Sequence, residues 1–96
     1  MTLDAFTDSL AADAPPQGCS VLLTALWHDR RGDWVTAHRV AQDVEDTEGA
    51  WVHAYLHRKE GDASNAAYWY RRARRPVATG PLDDEWTEIV KALVQS

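Results

Sequence analysis

The stretch Trp51-Val52-His53-Ala54-Tyr55-Leu56-His57-Arg58-Lys59-Glu60-Gly61-Asp62 decides the fold. Ala50, Ala54 and His57 fall on one helical face, with Trp51, Tyr55 and Arg58 on the next, so the segment reads as an amphipathic helix. Gly61 then supplies a residue for the left-handed C-cap, and Asp62 an oxygen for the N-cap of a following helix. That following helix carries Ala66, Trp69, Tyr70 and Ala73, and Pro76 stops it.

Moving outward, the same punctuation occurs 29 residues earlier. Trp27-His28-Asp29-Arg30-Arg31-Gly32-Asp33 aligns with Leu56-His57-Arg58-Lys59-Glu60-Gly61-Asp62, and Ala37 aligns with Ala66. Two helix–turn–helix units in register are expected, at about 19–45 and 47–75, each with a small residue where its helices cross. The first unit places one helix from Cys19 to Arg30 and another on Trp34, Ala37, Ala41 and Val44, with Asp46-Thr47-Glu48-Gly49 as connector. Leu3, Phe6 and Leu10 predict a short helix over 3–12, capped by Thr2 and ended by Pro15-Pro16. After Thr79-Gly80-Pro81, the stripe Leu82, Trp86, Ile89, Val90 and Leu93 predicts a last helix over about 82–95. No segment alternates with period two. The expectation is one all-α domain over residues 1–96, with about six helices stacked as antiparallel hairpins and capped at both ends. The five tryptophans fall one per helix from the second to the sixth, where each can anchor a helix–helix contact.

On these residues the chain resembles the tetratricopeptide repeat. Ala54, Gly61-Asp62, Ala66, Tyr70 and Ala73 match that pattern in the second unit, and Ala25, Gly32-Asp33 and Ala37 in the first. Ala41 and Val44 stand where the second unit has Tyr70 and Ala73, and the 29-residue offset is shorter than the family's usual 34 or so. Residues 51–73 also resemble a small bacterial family to which no activity is attached. The repeat resemblance implies a protein-interaction module whose concave face receives peptides. The corresponding face here is Trp51, Tyr55 and Arg58, a composition enriched in binding hot spots.

Charge narrows the partner. The net charge is −5, yet residues 58–75 hold six cations against Glu60 and Asp62. An acidic chain makes a poor general binder of nucleic acid. The basic segment, with Arg71 and Arg72, instead suits an acidic or C-terminal peptide added to the aromatic strip. Aromatics interleaved with arginine (Tyr68, Trp69, Tyr70) offer base stacking as a weaker alternative. The amphipathic last helix could also pair with a second copy as a homodimer. The competing expectation is that a terminal helix packs over the strip.

His53 and His57, at i and i+4, share a helix face at the spacing used to hold a metal ion. His28, the repeat equivalent of His57, is the expected third ligand, with Asp29 or Asp33 as carboxylates. A small metal- or anion-binding protein is therefore the alternative function. No other cofactor is expected. The opposing interpretation makes these histidines neutral packing residues. Catalysis is not expected, because no phosphate loop, nucleophile elbow or carboxylate pair is present. The single cysteine, Cys19, and the absence of a long apolar run or a basic apolar leader point to a cytoplasmic protein without a membrane span.

Overall fold

A computed structural model describes residues 1–95. Helix α1 spans Leu3–Asp8 and tightens into a 3-10 turn at Ser9–Ala11; α2 spans Val21–Arg30, α3 Trp34–Ala41, α4 Thr47–Glu60, α5 Ala63–Arg72 and α6 Leu82–Val94. No strand occurs among the described residues. The fold class is all-α, as the periodicity predicts.

The two Gly-Asp turns are built alike. Gly32 and Gly61 take φ of +85° and +92°, where a side chain would be strained. At the first turn the N–H of Gly32 donates to Asp29 and that of Asp33 to His28; at the second, Gly61 donates to Arg58 and Asp62 to His57. Each aspartate then caps the next helix, Asp33 accepting from Thr36 N at 3.1 Å and Asp62 from Asn65 N at 3.2 Å. Such paired caps close a helix and reopen one within three residues, so α2/α3 and α4/α5 lie as antiparallel neighbours. Ala25, Ala37, Ala54 and Ala66 are buried at 0–2% exposure, where small side chains let the helix axes approach.

Helix α2 begins at Val21 rather than Cys19, because Ser20 caps it, and two further boundaries differ from the sequence reading. Helix α3 ends at Ala41, leaving Val44 in the connector. Helix α4 begins at Thr47, because Asp46 caps it by accepting from Gly49 N at 2.7 Å. Gly49 thus lies inside the helix rather than in the connector. The Val44 carbonyl presses against it, and a Cβ there would overlap that oxygen.

Helix α6 closes the molecule against α1, α2 and α4. Trp86, Ile89 and Val90 are buried, and the Trp86 ring lies 6.0 Å from that of Phe6. Indole N–H groups tie elements together: Trp27 donates to Ser9 O, Trp34 to Leu56 O at 2.8 Å and Trp86 to Leu26 O at 3.1 Å. Large apolar bodies with one satisfied donor make good anchors in a core this small. Among the described residues no helix is long and apolar enough to cross a membrane.

Candidate metal centre

Helix α4 presents three faces, and each meets a different neighbour. The Trp51, Tyr55, Arg58 face is closed. Trp51 and Tyr55 are 4% and 1% exposed: the first turn of α6 brings buried Glu85 to Trp51, the Arg75 guanidinium lies over the Trp51 ring, and Asp29 of α2 meets Tyr55. Glu85 accepts from Tyr70 Oη at 2.6 Å, from Arg58 Nη1 at 2.9 Å and from Trp51 Nε1 at 3.3 Å. Arg58 also donates to Gly80 O. A buried carboxylate persists only with such a full set of donors. The expected open groove is therefore corrected: Glu85 of the last helix matches the donors of the strip, and Arg75 and Asp29 close the rest.

Beside this, Asp29 is buried against the same helix and accepts from Tyr55 Oη at 2.7 Å and Lys59 Nζ at 2.8 Å. Burial, followed by the Asp29 charge, pushes the Tyr55 hydroxyl far above the ordinary phenol range, so it remains a donor. Asp29 is thus committed to the core, and Asp33 to capping α3. Neither joins the histidines.

The third face carries His53 and His57, both 7% exposed. His28 does not approach them; its ring sits edge-on to Trp27 at 5.1 Å. Helix α3 packs on α4 at this face, beside Trp69 of α5, and its half-buried His38 takes the place expected of His28. His38 Nε2 lies 2.9 Å from His53 Nε2. One ring nitrogen from each of His38, His53 and His57 falls within 4.8 Å of the others. The sequence did hold a signal for His38: it stands four residues after Trp34, beside the apolar stripe of the same helix.

Indoles hold these rings in place. Trp69 of α5 stacks on His53 with centroids 3.9 Å apart and an interplanar angle of 17°, and Trp34 stacks on His38 at 4.9 Å and 11°. His53 and His57 are themselves nearly parallel at 4.8 Å. Burial lowers the His53 pKa to about 4, helped by repulsion from His38 and His57; burial also lowers that of His38. His57 Nδ1 lies 3.4 Å from Glu60 Oε1. A carboxylate oxygen accepts, so this contact places a proton on Nδ1.

The basic segment is largely occupied by intramolecular stacking. The Arg75 guanidinium lies 3.4 Å over Trp51, and Arg72 lies 5.2 Å over Trp69 and 5.8 Å over Tyr68. Arg71 and Arg72 are exposed, as a partner surface requires, whereas Arg58 is paired with Glu85. Asn65 turns its amide to Asp62 at 3.4 Å, within its own turn. Cys19 is half-buried, its sulfur 3.3 Å from Thr24 Oγ1.

No protein-family model, curated protein or solved structure matches this chain.

Proposed function

We propose that this protein binds a transition-metal ion through His38, His53 and His57, in a binding rather than a catalytic role. The observation that carries this reading is the convergence of three ring nitrogens within 4.8 Å. In a tetrahedral site with metal–nitrogen bonds of about 2.05 Å, ligand nitrogens stand about 3.3 Å apart. That spacing lies between the 2.9 Å contact of His38 with His53 and the 4.8 Å limit of the cluster, so movements of side-chain scale suffice. A metal must lie in the plane of each ring, so the stacked His53 and His57 would tilt open to share it. Three imidazoles without a thiolate suit zinc, copper or nickel over calcium or magnesium. His53 favours its neutral form, the one that coordinates. Glu60 would serve as the outer carboxylate that orients His57.

This reading is preferred to the interaction module because Trp51 and Tyr55 are buried and Arg58 is paired with Glu85, leaving a peptide only Arg71 and Arg72 of the expected contacts.

Thermal unfolding with and without zinc, copper or nickel tests the proposal. At about 100 times the dissociation constant, a bound metal should raise the midpoint by roughly 10–20 °C. His38→Ala, at a half-buried position, should fold and lose that increment. No metal-dependent rise in the unaltered protein, or an equal rise in His38→Ala, would refute it.

A further inference from the structure

Trp69 has a second role beside its stacking on His53. It lines a cavity of about 210 Å3 where the α3–α4 connector approaches the first turns of α4 and the end of α5. Val44, Ala50 and the Trp69 indole give the cavity its apolar lining, and Glu45, Asp46 and Arg72 give it charge.

Those charges are not equivalent. The Asp46 carboxylate is engaged in capping α4 through Gly49 N. Arg72 is steadied by the Trp69 ring and by one donation, Nη1 to Tyr68 Oη at 3.0 Å. A guanidinium has five N–H donors, so most of its capacity is left over. Among the described residues neither Arg72 nor Glu45 lies within ion-pair distance of an opposite charge. The cavity therefore holds two carboxylates and one guanidinium, and neither Glu45 nor Arg72 is neutralised by the other.

Its occupant can be argued by elimination. The volume is below the ~300 Å3 where sites for drug-sized ligands begin, which excludes nucleotides. A phosphate dianion would be repelled by Glu45 and Asp46. A simple amine would meet the carboxylates but leave Arg72 without an anion, and a neutral molecule would meet neither sign of charge. The geometry points to a binding site for a free zwitterionic α-amino acid with a small apolar side chain. Its carboxylate sits on Arg72, its ammonium against Glu45, and its side chain on Trp69, Ala50 and Val44. Nothing in this inference requires a metal at the histidines.

The test follows the Trp69 indole N–H signal of the full-length, 15N-labelled protein in the presence of a chelator, with the signal assigned from the Trp69→Phe spectrum. L-valine and L-leucine are titrated, and isovalerate and isobutylamine serve as valine lacking one charge each. A saturable shift is expected for an amino acid at about 1 mM or tighter. Both single-charge analogues should bind at least about tenfold more weakly, as should L-valine to Arg72→Gln and to Glu45→Gln. Both positions are exposed, so these variants retain the fold. Absence of a saturable shift at about 10 mM would overturn the proposal. Equal binding of either analogue, or unchanged binding to either variant, would overturn it too.

Discussion

Gly49 shows how one residue can reverse a rule. A glycine inside an exposed helix normally gains about 1 kcal/mol on replacement by alanine. Here a Cβ would collide with the Val44 carbonyl, a backbone atom that cannot swing away. Gly49→Ala is therefore expected to destabilise the protein by about 2–3 kcal/mol, measured by urea unfolding. His53 supports a second residue-scale prediction. Its folded pKa of about 4 lies below its ordinary value of 6.5, so the unfolded chain binds the extra proton first. Its contribution is complete above pH 6.5 and is lost as pH falls toward 4. Chelated protein should lose stability across that window, and His53→Gln should show a shallower loss there. The sequence made His53 and His57 readable as a pair because both lie on one helix. It misassigned their companion, since the repeat equates His28 with His57 but does not say which helix packs across from them.

At the scale of the element, the cap at the end of α5 repeats the Gly-Asp turns without their glycine. Arg75 N donates to Tyr70 O, Arg74 N donates to Arg71 O, and Arg74 holds φ at +59°. A side chain in this region costs about 1 kcal/mol or more. Arg74→Gly should therefore raise stability by about 0.5–1 kcal/mol, the relief of strain exceeding the added entropy of the unfolded chain. Calorimetry at matched pH would check it; a fall in midpoint would contradict it. The two turns at Gly32 and Gly61 were legible in advance because glycine followed by a capping aspartate announces such a geometry. The Arg74 turn carries no such mark. Nor did the end of α3, where Val44 continues the apolar spacing past the last helical residue and instead packs against α4.

For the molecule as a whole, Glu85 is the point where side chains of α4, α5 and α6 are bonded together. Glu85→Ala would strand Arg58, Tyr70 and Trp51 without their acceptor and should cost about 3–5 kcal/mol. Glu85→Gln keeps the shape and one carbonyl oxygen, so a smaller loss in guanidinium chloride unfolding is expected. A loss of less than about 1 kcal/mol for the alanine variant would show that the carboxylate is dispensable. The helical architecture could be read from periodicity and punctuation alone. The same reading leaves the aromatic strip either open or covered by a terminal helix, because Asp83, Asp84 and Glu85 look alike as acids favouring a helix N-terminus. Only packing shows that the third of them points inward.

The two buried carboxylates also fix an angle. Asp29 grips α4 through Tyr55 and Lys59, and Glu85 grips it through Trp51 and Arg58. A cylinder held on its flank at two heights cannot roll, so the bearing of its remaining face is set from outside that face. Acids on α2 and α6, which bond none of the imidazoles, thereby set the bearing of the helix face from which His53 and His57 reach toward His38.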